Sequence, residues 1–285
     1  MQPRLCASRL RGAGGSCRKE TKNAGIHQLW TAVLLLAVFL VGTGCTRGKE
    51  QVQPPTLTVA AASDLVLAFS EIAREFERMT GAKVVLVFGS TGKLAQQIEN
   101  GAPYDVFAAA DIQFIRGLEA KTRVDAATTR HYANGRVGIA TTVKGGLAPD
   151  NLADLLDPVY KKIAIANPEH APYGRAAREA LESAGLWHQL QDRLVYAGNI
   201  QEAFTLVTSG NAEAGLVAIS VAANDPQVRF VLVDSAMHRP LIQAMAVVSN
   251  SEHPDLAGRF IQYVTSPQGW EVLLRYGFEA PEEGR

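Results

Sequence analysis

The chain has 285 residues, 47% hydrophobic and 20% charged, with 28 basic side chains against 28 acidic ones. Its three cysteines, Cys6, Cys17 and Cys45, all precede the folded part, which therefore holds no disulfide, no cysteine-ligated zinc and no cysteine nucleophile. Beyond Cys45 the balance is 22 basic to 27 acidic residues, which excludes the basic surface that nucleic-acid binding needs.

Residues 1–27 carry Arg4, Arg9, Arg11, Arg18, Lys19 and Lys22 against Glu20 alone, and an apolar run follows from Leu29 to Val41. A basic segment ahead of an apolar run too short for a comfortable membrane span predicts an export signal over residues 1–45. The run closes on Val-Gly-Thr-Gly-Cys. This resembles the lipobox of bacterial lipoproteins, with Cys45 as the lipidated residue, although Gly42 stands where a larger aliphatic residue is commoner; plain cleavage nearby is the other reading. Residues 46–55 are polar and contain Pro54 and Pro55, as a tether does. Folded sequence is predicted from Thr56 to Phe278, enough to bury a core as one large or two small domains.

The folded part opens on the apolar run Leu57–Ala61. After Ser63, Leu65, Phe69, Ile72, Phe76 and Met79 recur at helical spacing. Val84–Phe88 then repeats the strand, Ser90 the turn, and Lys93–Asn100 the helix. A serine at such a turn gathers its hydroxyl, its own N–H and the unpaired N–H groups of the first helical turn about one point, at the positive end of the helix dipole. That suits an oxyanion. Serine is also a favoured N-cap for the same reason, so it is the pair of turns in consecutive strand–helix units that points to a shared site.

Further strand-like runs are Asp105–Ala109, Val137–Thr141, Lys162–Ala166, Leu194–Ala197, Ala214–Ile219, Val228–Val233 and Ile242–Ser249. Helical patterns span Arg175–Ala184, Gln201–Thr208 and Asp255–Thr265. The alternation predicts an α/β protein with mostly parallel sheets, its ligand beyond the carboxyl ends of the strands. Gly89–Lys93 lacks two positions of a phosphate-binding loop, so Lys93 is expected to be a solvated helix residue. His170 has no second histidine or cysteine at ligand spacing and is expected to face solvent. No Gly-x-Ser-x-Gly elbow is present, which argues against a hydrolase.

The stretches LTVAAASDL (57–65), VFGSTGKLAQQIENGAPYDVFAAAD (87–111), IANPEHAPYGRAAREAL (165–181), GNIQEAF (198–204) and RYGF (275–278) resemble, in order and spacing, the periplasmic molybdate-binding proteins of ABC molybdate transporters. The resemblance implies a type II periplasmic-binding-protein fold, two α/β lobes joined by a hinge with the ligand cleft between them. Lobe 1 would be 56–134 plus 238–281 and lobe 2 135–237. It implies a binding protein, not an enzyme, with no cofactor and no cation site. Its ligand would be the molybdate or tungstate oxyanion, held without cationic side chains by the hydroxyls of Ser63 and Ser90 and the N–H groups of Tyr173 and Ile200. It further implies a monomer outside the cytoplasm, lipid-anchored to a bacterial membrane through Cys45 and delivering its anion to ABC permease subunits. Where some members place a tyrosine hydroxyl on the anion, this chain has Ala218, so either that contact is missing or another group such as Tyr173 OH, Thr91 or Ser220 replaces it. Asp64 beside a dianion is repulsive unless it points away and caps its helix, and it is expected outside the site. The alternatives are the same fold binding sulfate, thiosulfate or another anion, and a membrane-tethered anion sensor.

Overall fold

The computed structural model describes residues 54–281. The export signal, Cys45 and most of the tether lie outside the described residues. In chain order the elements are β1 (Thr56–Ala62), α1 (Val66–Thr80), β2 (Lys83–Gly89), α2 (Thr91–Glu99), β3 (Val106–Ala109), α3 (Ile112–Ala120), β4 (Arg130–Gly135) and β5 (Val137–Thr142). Then follow β6 (Ile163–Ala166), α4 (Pro172–Ser183), α5 (Trp187–Leu190), β7 (Leu194–Ala197), α6 (Ile200–Thr208), β8 (Ala214–Ala218) and α7 (Ile219–Ala222). The chain closes on β9 (Val228–Leu232), β10 (Leu241–Val247), α8 (Pro254–Val264) and α9 (Pro267–Arg275).

Two five-stranded sheets organise the two lobes, ordered β2-β1-β3-β10-β4 and β7-β6-β8-β5-β9. Three neighbours in each are parallel: β2, β1 and β3 in the first, β7, β6 and β8 in the second. The remaining pairings, β10 on β3 and β4 and β5 on β8 and β9, are antiparallel. The sheets are thus mixed rather than mostly parallel, because each admits a strand returning from the other lobe's direction. The chain leaves the first sheet between β4 and β5, through Arg136, and returns between β9 and β10.

Burial explains the lobes. Leu57, Val59, Ala60 and Ala61 of β1 are fully buried between layers, so the strand reads as a continuous apolar run. On α1, Phe69, Ile72 and Phe76 form the inward stripe, while Met79 is exposed. The Phe260 ring of α8 packs edge-on against Phe76 at 5.2 Å and Phe69 at 5.9 Å, geometry that aromatic pairs favour. Asp105, just before β3, ties lobe 1 together: its carboxylate accepts from Thr58 N–H at 2.7 Å and Ser251 Oγ at 2.6 Å.

Candidate functional site

The carboxyl ends of β1 and β2 face the start of α4 and α6 across the junction of the lobes. Ser63 sits in a single 3-10 turn after β1 (Ser63–Leu65), and Ser90 occupies the N-cap position of α2 in extended backbone. Neither turn has a side-chain cap hydrogen bond, so these hydroxyls are not spent on their own helices. On the other lobe, Pro172 and Tyr173 open α4, where Pro suits a position whose N–H would be unpaired anyway. Asn199 caps α6 by accepting from Glu202 N–H at 3.0 Å, leaving Ile200 as its first helical residue. The amides of Tyr173 and Ile200 thus lie in first turns, without intrahelical partners.

Ser63, Ser90, Tyr173 and Ile200 line one cavity together with Asp64 and Thr91. Its free volume is about 10 Å³, roughly the room of one water molecule. Among the described residues no lysine, arginine or histidine is on its wall. What this wall offers an anion is first-turn N–H groups and hydroxyls.

The lobes touch at this point. The His170 carbonyl, in the loop before α4, accepts from Ser90 Oγ at 2.7 Å and from Gly92 N–H at 2.9 Å. His170 Nδ1 also lies 2.7 Å from Ser90 Oγ; with the hydroxyl proton directed at the carbonyl, Nδ1 is the donor. Burial, then Lys93, holds the His170 imidazole below its ordinary value. His170 is therefore half-buried against the site rather than facing solvent. Lys93 is exposed. At the rim, Arg175 of α4 donates to Asp111 Oδ2 at 2.6 Å, reaching from one lobe to the other.

Asp64 departs from its sequence reading. It caps no helix and is 1% exposed on the cavity wall, because its turn packs under the opposite lobe. Gln243 of β10, fully buried, donates through Nε2 to Asp64 Oδ2 at 2.7 Å and to Tyr173 OH at 2.9 Å. Burial pushes the Asp64 carboxyl from 3.8 up to about 6, against the hydrogen bond from Gln243. The Tyr173 phenol is held well above its ordinary value by burial and by Asp64. Its hydroxyl belongs to this network at the hinge, where a Cβ on Gly135 would stand 2.2 Å from it. Of the other groups considered in place of the tyrosine absent at Ala218, Thr91 is on the cavity wall, its Oγ1 accepting from Ala110 N–H at 3.2 Å. Ser220 is buried away from it.

Two α/β lobes closing on a small, cation-free pocket of hydroxyls and helix N-termini define a two-lobed solute-binding protein. The family model for bacterial extracellular solute-binding proteins matches residues 57–279, and the chain belongs to that family. It is 33% identical over 229 residues to the molybdate-binding protein ModA of Azotobacter vinelandii, spanning 79% of this chain and 90% of that protein. It is 28% identical over 260 residues to the putative ABC transporter substrate-binding lipoprotein YvgL of Bacillus subtilis (strain 168), spanning 87% and 96%. Among solved structures, the Azotobacter vinelandii periplasmic molybdate-binding protein superposes with a TM-score of 0.74 at 29% identity, covering 79% of this chain and all of that one.

Proposed function

We infer that this protein captures molybdate, and tungstate with it, outside the cytoplasm and delivers the anion to the membrane subunits of an ABC permease. It acts as a monomer anchored to the membrane by lipid on Cys45. The anchoring reading is supported by the likeness to a substrate-binding lipoprotein, and the ligand by the relatives named molybdate-binding. The observation that supports the reading is that Ser63, Ser90, Tyr173 and Ile200, the last two in first helical turns, line one cavity. The role is binding for transport rather than catalysis.

Ser90 can turn its hydroxyl from the His170 carbonyl to the anion without orphaning that carbonyl, since Gly92 N–H remains on it. A shell of donors accepts a fully deprotonated tetrahedral dianion. Protonated phosphate must place a hydrogen in that shell, at a cost of about 1–3 kcal/mol unless the Asp64 carboxylate accepts it. Titration calorimetry with molybdate, tungstate, sulfate and phosphate tests the reading. Molybdate and tungstate should bind and raise the melting temperature, as a ligand of the native state alone does. Binding of sulfate or an organic acid with no response to either metal oxyanion would replace it. Membrane fractionation and the mass of the processed N-terminus, against Cys45→Ser, test the anchor.

A further inference from the structure

Asp64 is the one carboxylate on the wall of the anion cavity, and a carboxylate there is at odds with a dianionic ligand. Its Oδ2 is occupied by Gln243 Nε2 at 2.7 Å. Its Oδ1 is buried and has no hydrogen-bond partner among the described residues. Among the described residues no lysine, arginine or histidine pairs with it.

The groups around it offer no compensating charge. Tyr132 of β4 and Tyr173 of α4 both carry raised phenol values, partly because of Asp64, and stay neutral. Gln243 of β10 is uncharged. Of the other segments packed on the turn, β2 and α6 bring Gly89 and Ile200 to the cavity, and α7 carries the buried hydroxyl of Ser220. The Glu202 carboxylate of α6 is tied to Gly198 N–H and Asn199 Nδ2. Arg136, at the crossing between lobes, pairs with Glu279.

We propose that Asp64 is a specificity-determining residue that joins the anion's shell as a neutral acid, with Oδ1–H donating to the bound oxyanion, so that each captured dianion takes one proton from solvent into the closed cleft. This rests on the oxyanion reading of the same cavity. Burial alone already moves the carboxyl towards neutrality, and a dianion at contact adds repulsion in the same direction. Protonated, Asp64 keeps the shell made of donors; ionised, it would be the acceptor that a hydrogen-bearing anion needs. Gln243 then fixes which oxygen carries the proton, because Oδ2 already accepts.

The test is molybdate calorimetry on the protein between pH 6 and 8.5, repeated in buffers of different ionisation enthalpy. The expected result is net uptake of close to one proton per anion near pH 7.5, and affinity falling towards about tenfold per pH unit as pH rises. Asp64→Asn, which keeps the shape and a donor, should bind with a flat pH profile and no uptake. Molybdate binding without proton uptake in the unaltered protein overturns the proposal and leaves the oxyanion reading standing. Uptake persisting in Asp64→Asn overturns it too, by placing the proton elsewhere. Failure to bind molybdate at any pH overturns both. The buffer series on the unaltered protein decides the matter even if the variant does not fold.

Discussion

At Ser63 and Ser90 the group proposed to hold the anion is the side-chain hydroxyl. Ser63→Ala and Ser90→Ala should each weaken molybdate binding by about 1.5–3 kcal/mol, the worth of a hydrogen bond to a charged group. Since neither side chain caps its helix, the melting temperature without ligand should barely move for Ser63→Ala and fall modestly for Ser90→Ala, which loses its bonds to His170. Unchanged affinity in both variants would remove the hydroxyls from the site. For Asp64 the sign of the stability effect follows from its raised native value. Its contribution to stability is complete below about pH 4 and is lost as pH rises through about 6. A shift of about two units corresponds to about 3 kcal/mol, so Asp64→Asn should melt higher than the unaltered protein above pH 7 and lose that advantage by pH 4. Equal melting at both ends would show that burial does not strain the carboxyl. The serines were legible because a residue type at a strand–helix turn is local information. Asp64 was misread and Gln243 missed because their meeting joins positions 179 residues apart. His170 lies 80 residues from Ser90, and nothing near either position signals the contact.

Among the elements, α4 sets the position of the Tyr173 amide, and two close approaches hold its first turn. A Cβ on Gly174 would lie 2.1 Å from the Ala166 carbonyl oxygen, so the helix start rests directly on the end of β6. On its other side Tyr173 OH fills the space above Gly135. Gly135→Ala should therefore displace α4, costing about 1–3 kcal/mol of stability as overpacking usually does, and weaken binding. Tyr173→Phe alone should change affinity little, since the proposed donor is the amide. The double variant should recover much of the loss, and calorimetry on the three proteins would show it; no recovery would mean Gly135 acts on β4 rather than on the hydroxyl. Most strands and the long amphipathic helices were readable to within a residue or two, because apolar runs and helical periodicity are set by burial on one side. β4, α3 and α9 were not. The sequence of β4, Arg-His-Tyr-Ala-Asn-Gly, has no apolar run and is a strand because β10 pairs with it. On α3 three buried residues, Ile112, Ile115 and Leu118, are all that mark the inward face.

Across the whole molecule the lobes are held together by contacts that need both: Ser90 and Gly92 on the His170 carbonyl, Gln243 on Tyr173, and Arg175 on Asp111. Neither lobe alone would complete the proposed set of donors, so binding energy would favour closure. Small-angle scattering should show a smaller radius with molybdate than without; an unchanged radius would mean closure does not depend on the anion. Arg175→Ala strips the partner from the buried Asp111 carboxylate and should loosen the closed state, releasing molybdate several-fold faster in stopped-flow displacement at nearly unchanged association rate. Equal release rates would confine the pair to a surface role. The place of β10 has another consequence, for the order in which the protein is made. It lies inside the first sheet, between β3 and β4, yet it is the last strand in the chain. A polypeptide delivered from its N-terminus can finish the second lobe, whose strands run without interruption from Val137 to Leu232, while the first still has an open edge at β3. Until residues 241–247 arrive, that edge is a template for any passing strand, and a cell that exports the chain unfolded has to shield it almost to the end of translocation.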